Sequence, residues 1–243
     1  MSTTASIRAS ADSAAPANKL VNDSKPQSSR FQIEIQSVSI KSGHPLHGRS
    51  CGVGDKDRRP LNPAPILSLQ VKEDGVNIPP AQLTSYFTKI TTYSDLYTDS
   101  FVLRVELWNE EGDEAVTTHH NIPTEKSILA GNIFSSSTVL RDQNGVLGIY
   151  FIFSDLSVRI HGTFRLKFYL YNMMSETGVL NQGKMTVITS IMSNPFTVYS
   201  SKSFPGTVTP SELVTAFIEQ GIRMPNRKKG TWDGEDGSED DME

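Results

Sequence analysis

The chain has 243 residues, 23 Lys and Arg against 27 Asp and Glu, a net charge of −4, and a single cysteine. That balance excludes a polycation that binds nucleic acid by bulk charge, the lone cysteine excludes an intrachain disulfide, and no apolar run approaches the roughly 20 residues that span a bilayer. The charge is uneven: residues 231–243 hold seven acids (Asp233, Glu235, Asp236, Glu239, Asp240, Asp241, Glu243) and no Lys or Arg, so residues 1–230 carry +3. A lone thiol suits a reducing compartment. The first thirty residues are rich in Ser, Ala and Thr and lack the apolar core of a signal peptide. The expectation is a soluble intracellular protein.

Residues 1–29 have too few large apolar groups to offset the entropy of ordering them, and read as a disordered N-terminal segment. Phe31, Ile33 and Ile35 then alternate with Gln32, Glu34 and Gln36, one apolar face at period two. Pro65 to Val71 is a second strand, and residues 78–87 are a candidate short helix. Phe101, Leu103, Val105 and Leu107 share one face of a strand ending at Trp108. Asn144-Gly145 supplies a tight hairpin turn. Leu147 to Phe153 follows, nearly all apolar, as in a strand covered on both sides. From Thr163 to Tyr171, Phe164, Leu166, Phe168 and Leu170 alternate with Arg165, Lys167, Tyr169 and Tyr171. Met185 to Met192 and Pro195 to Tyr199 are further strand candidates.

One helix is signalled near the end. Thr209-Pro-Ser-Glu212 reads as a capping box with Pro at the first helical position. Leu213, Val214, Phe217 and Ile218 recur at helical spacing, and Gly221 suits a C-terminal cap. Many short strands between Gly, Pro and Asn turns predict a mainly β sandwich or barrel. One domain is expected over residues 30–229, followed by a disordered acidic tail over 230–243.

The segment that carries chemistry is Cys51-Gly-Val-Gly-Asp-Lys-Asp-Arg-Arg-Pro60. Gly52 and Gly54 loosen its backbone and Pro60 stiffens it, presenting Lys56, Arg58 and Arg59 on a loop between strands. Cations held on a loop by a sheet suit phosphate capture. The plainer reading is a solvated connection, since Asp55 and Asp57 leave residues 55–59 at only +1. Arg49, Arg227, Lys228 and Lys229 could add phosphate contacts; the last three could also act as a weak nuclear-import signal, and read more simply as a domain boundary. The acidic tail is either a solubilising segment or a competitor with DNA for the basic loop.

Metal and catalysis find little support. His119-His120 on a strand would point to opposite faces, and His44 and His47 merely flank Pro45 in a loop. No cysteine or carboxylate cluster accompanies either pair. Ser154, Asp155 and His161 are close in sequence, which does not build a triad. No nucleophile elbow, phosphate loop or dinucleotide fingerprint occurs, so neither catalytic residues, a metal nor a cofactor is expected.

Arg49-Ser-Cys-Gly-Val-Gly-Asp-Lys-Asp-Arg-Arg-Pro-Leu-Asn-Pro-Ala-Pro65 resembles the opening signature of the velvet domain, a family of fungal regulators of development and secondary metabolism. Further similarity lies in Phe101 to Trp108, Phe151 to Arg159, Gly162 to Phe168, Val198 to Gly206 and Phe217 to Ile222, together spanning residues 31–229. Cys51 to Arg59 and Val179-Leu-Asn-Gln-Gly-Lys184 look closest to the velvet B type. That type often carries a long central insertion, for which this chain has no room, and Ala64 and Ser201 stand where the family usually has Pro and Ala.

The resemblance implies an immunoglobulin-like (Rel-homology-like) β-sandwich with a C-terminal helix packed on it. It implies homodimers or heterodimers with other velvet proteins, no membrane, and a nuclear location with a cytoplasmic pool. It further implies binding of double-stranded promoter DNA, with the family's basic loop positions falling on Lys56, Arg58 and Arg59. Another basic position of some members falls on Gly54, which implies that this contact is absent and that affinity is either weaker or reliant on a partner subunit. The rival expectation is a β-sandwich interaction subunit that does not itself contact DNA.

Overall fold

The computed structural model describes residues 31–37, 45–54, 58–79, 82, 100–173, 183, 185 and 187–224. In chain order these form β1 (Phe31–Ser37), β2 (His47–Arg49), β3 (Ile66–Glu73), β4 (Val76–Asn77), β5 (Phe101–Asn109), β6 (Leu129–Ala130), β7 (Phe134–Ser136), β8 (Thr138–Arg141), β9 (Leu147–Ile152), β10 (Ser157–Val158), β11 (Gly162–Asn172), β12 (Val187–Met192), β13 (Phe196–Tyr199) and a helix, α1 (Glu212–Glu219).

The two runs with the cleanest alternation pair with each other. β5 and β11 are antiparallel, with Leu107 opposite Leu166, Val105 opposite Phe168 and Leu103 opposite Leu170. All six side chains are buried. At about 1.5–3 kcal/mol per fully buried large apolar side chain, this ladder is a major source of stability. Around it, one sheet runs β2-β13-β11-β5-β7, with β12 also on β11, and a second runs β1-β3-β9-β8, with β4 on β3. Leu67, Leu69, Ile149 and Phe151 of the second sheet share one core with the β5–β11 ladder. The fold is therefore a β-sandwich. β6 and β10 form a separate two-stranded pair.

β9 is apolar throughout because both its faces are covered. Ile149 and Phe151 point into the sandwich, while Tyr150 packs with Ile66, Leu140, Val214 and Phe217 in a second cluster under α1. The Tyr150 and Phe217 rings lie 4.7 Å apart. Burial there pushes the Tyr150 hydroxyl above its ordinary range, and the Asp142 charge adds to the shift.

Two local predictions are corrected. The helix starts two residues later than the capping-box reading placed it. Ser211 is the N-cap, its hydroxyl accepting from the Val214 N–H, so Pro210 lies before the cap. The Ser211 hydroxyl is positioned to satisfy an otherwise orphaned first-turn donor. The turn at Asn144-Gly145 is not a two-residue turn. The Asp142 N–H donates to Val146 O at 2.9 Å, Asp142 Oδ1 accepts from the Asn144 and Val146 amides, and Gly145 alone takes a positive φ, 76°. This is the longer hairpin loop with a left-handed glycine.

The far end of α1 behaves as predicted. Gly221, at φ 91°, donates to Ile218 O, and Ile222 donates to Phe217 O, the paired bonds of a Schellman cap. Of the candidate helix at 78–87, only Ile78, Pro79 and Gln82 are described, the Gln82 N–H donating to Pro79 O. The remainder lies outside the described residues.

Gln220, the C-cap residue, also protects a sheet edge. β8 ends the second sheet, and an edge strand offers unpaired backbone groups. The Gln220 side-chain amide meets both groups of Arg141, its Oε1 accepting from the N–H and its Nε2 donating to the carbonyl, each at 2.8 Å. The Gln220→Ala substitution is expected to cost about 1–2 kcal/mol in chemical denaturation. It should also speed hydrogen exchange of the Arg141 amide; an unchanged rate there would refute the edge-capping role.

Candidate nucleic-acid interface

The basic loop leaves the edge strand β2 of one sheet and enters β3 of the other, so it bridges the sandwich at its rim. Its ends are tied. The His47 N–H donates to Asn62 O at 2.9 Å and the Asn62 N–H to His47 O at 2.8 Å. Asn62 Oδ1 accepts from the Val208 N–H at 2.7 Å. His47 is buried, its Nδ1 3.1 Å from Pro45 O and its Nε2 2.9 Å from Gly206 O. Leu61 is buried directly over Gly48, where an added Cβ would come within 2.6 Å of its Cδ2. A side chain at position 48 would therefore force the buried Leu61 side chain to shift.

One stretch of chain, Leu156 to Arg159, grips both stems. The Cys51 N–H donates to Val158 O at 3.1 Å, the Gly52 N–H to Arg159 O at 3.0 Å, and the Leu61 N–H to Leu156 O at 2.7 Å. Ser50 adds a bond to Tyr199 O at the end of β13. Gly52 takes a φ of 61°, in the left-handed region, as the loop departs from the sheet.

The sequence-predicted cations fall differently on this frame. Arg58 is exposed. Arg59 is half-buried and already engaged in a contact within the chain. Arg49 lies on β2 beside Tyr199, half-buried, with its Nε buried and lacking an acceptor among the described residues. Lys56, Arg227, Lys228 and Lys229 lie outside the described residues. Cys51 is partly buried and not in a disulfide.

Two cations that sequence reasoning passed over stand at the root of the loop. Arg159 is 7 % exposed and donates to Gly52 O at 2.9 Å and Val53 O at 3.2 Å. The Lys126 ammonium donates to Val53 O at 2.8 Å. They are over seventy residues from their partners, and nothing in a single sequence links positions so far apart.

His119 and His120 are not on a strand, and their rings lie 4.2 Å apart rather than on opposite faces. Among the described residues no group of three or more His, Cys, Asp or Glu is placed to hold a metal ion. A second charged surface covers the outer face of β5 and β11. There Lys167 stands 4.1 Å from the Trp108 ring centre, and Arg104 pairs with Glu106 at 2.8 Å. Arg165 donates to the carbonyls of Glu110 and Ser193. Partial burial raises the Tyr169 hydroxyl above its usual range, with the negative charge of Glu106 adding.

The velvet factor family profile matches residues 42–128 and 123–230. The chain is 34% identical over 211 residues to the sexual development regulator umv3 of Mycosarcoma maydis, covering 82% of this chain and 48% of that protein. It therefore spans about half the length of the Mycosarcoma protein. It is 30% identical over 228 residues to the spore development regulator vosA of Beauveria bassiana, covering 91% and 79%. It is 26% identical over 295 aligned positions to velvet complex subunit 2 of Gibberella moniliformis, covering 84% and 63%. That last alignment is longer than this whole chain, so the relative carries inserted residues that this chain lacks.

Proposed function

The chain belongs to the velvet family, and from that membership we propose that it regulates fungal development, including sporulation and secondary metabolism, by binding promoter DNA in the nucleus as a velvet homodimer or heterodimer. The names of its relatives, regulators of sexual and spore development and a subunit of a velvet complex, support the developmental role and the pairing with other velvet proteins. The observation that carries DNA binding is the loop between β2 and β3: both stems are pinned to one rigid stretch, and Arg58 stands exposed beyond them. A rigid frame with an exposed cationic tip is what phosphate and base-edge contacts require. Lys56 supplies a compact charge toward phosphate. Arg58 and Arg59 supply planar forks for phosphate or a guanine edge.

The test is a mobility-shift series over salt with the full chain, alone and mixed with a second velvet subunit. Three cations engaging phosphate in each subunit give log K falling with log salt at a slope of about −3 per subunit. A slope near zero, or no shift with any subunit combination, rejects the reading.

A second reading, an interaction subunit that leaves DNA to others, is favoured by the outer face of β5 and β11. Partly exposed Trp108, Tyr169 and Tyr171 lie there beside Arg104 and Lys167. Aromatic and Arg side chains are enriched where proteins meet. Substitutions on that face would then disrupt complex formation while the loop cations proved dispensable.

A further inference from the structure

The burial of Arg159 is costly unless its donors are met, and its position explains what it obtains in return. Its Nε donates to Ser127 O at 3.0 Å, and Nη1 reaches both Gly52 O and Val53 O. Its own backbone is held as well: its N–H donates to Ile128 O, and its carbonyl accepts the Gly52 N–H, each at 3.0 Å. Gly52 is thus gripped on both sides by one residue, carbonyl by guanidinium and amide by backbone. Lys126, from the turn before β6, fastens Val53 O from a second direction.

Carbonyls turned inward where a loop leaves a sheet need donors. A planar fork can serve three at once, whereas an ammonium cannot match that spread. The strand-end segment that grips both stems therefore also fixes, through Arg159, the backbone at Gly52 and Val53, where the loop leaves β2.

We propose that Arg159 is a positioning residue for DNA recognition: with Lys126 it fixes the carbonyls of Gly52 and Val53, and so aims the cationic tip of the loop without itself touching DNA. This rests on the DNA-binding reading above. Its test uses the full chain carrying Arg159→Met, Arg159→Lys or Lys126→Met. Affinity for a promoter fragment is measured at one salt concentration, at a temperature where circular dichroism shows each variant folded. Hydrogen exchange is followed at the Cys51 and Gly52 amides.

Arg159→Met is expected to weaken binding about tenfold or more and to speed exchange at both amides. Arg159→Lys, which keeps the charge but not the planar fork, should recover part of the affinity. Lys126→Met, which removes the bond to Val53 O, should weaken binding about two- to threefold. Should Arg159→Met fail to fold, Arg159→Lys and Lys126→Met decide the matter. Folded variants that melt earlier yet bind DNA as the wild type does, with unaltered exchange at Gly52, would overturn the proposal and leave Arg159 a packing residue. A wild-type protein that binds no DNA at any salt rejects the DNA reading and the aiming role together. Wild-type binding matched by all three variants rejects only the role of Arg159.

Discussion

Replacing Arg58 and Arg59 together by Ala is expected to abolish specific promoter binding while the sandwich stays folded. The two halves of that outcome have separate causes. Arg58 is exposed and contributes little to the core, so its loss should alter stability by no more than about 0.5 kcal/mol. Arg59 is half-buried and engaged within the chain, so its removal carries most of any cost. On the DNA side, a good bidentate contact is worth about 1–3 kcal/mol. Losing two therefore weakens binding roughly 30-fold or more, and where the two forks engage phosphate instead the salt slope should flatten by about 1.8. Titration of one promoter fragment against wild-type and doubly substituted protein, with melting curves for both, reads all three quantities. Retained binding at an unchanged slope would remove the loop from the interface. The single variants then rank the two residues: Arg58→Ala should reduce affinity with no loss of stability, whereas Arg59→Ala should show both.

The long strands were legible because their alternation is written in the residues. Phe101 to Trp108 and Thr163 to Tyr171 each bury every second side chain, and the structure pairs them over their whole length. The unbroken apolar run of β9 announced two covered faces, and α1 supplies the second cover. Elements of two to four residues were not legible, since period two cannot be counted in them. β2 is the telling case. His47-Gly-Arg49 has no strand-like composition, and it is a strand only because β13, about 150 residues later, offers a parallel partner.

The candidate site divides along the same line. Its cations were visible as a local run, and the family signature around them gave that run meaning. The frame that holds the loop's stems was not visible: Arg159, Lys126, the His47–Asn62 pairing and the close seat of Leu61 on Gly48 are all contacts between distant positions. Local charge names the loop's cations, and tertiary hydrogen bonding fixes the backbone from which the loop leaves β2. The helix start shows the same limit at short range. Thr209 and Ser211 can both cap a helix by type, and the bond from the Val214 N–H selects Ser211.

Truncating Phe217 to Ala should release α1 from the sheet without opening the sandwich. Phe217 is fully buried and belongs to the small cluster of Ile66, Leu140, Tyr150 and Val214, separate from the main core. Phe→Ala in such a site costs about 3–5 kcal/mol, which for a domain of this size lowers the melting temperature by about 6–20 °C. The loss should be local in character. An eight-residue helix is too short to persist by itself, so the helical contribution to circular dichroism should fall before the β signal does. Amide exchange should accelerate at Arg141, whose edge groups Gln220 covers, and remain slow in β5 and β11, whose ladder lies in the other sheet. A Phe217→Leu variant, which keeps most of the buried volume, should lose less than about 1.5 kcal/mol. Uniform acceleration across both sheets would show instead that the helix and the sandwich unfold as one unit.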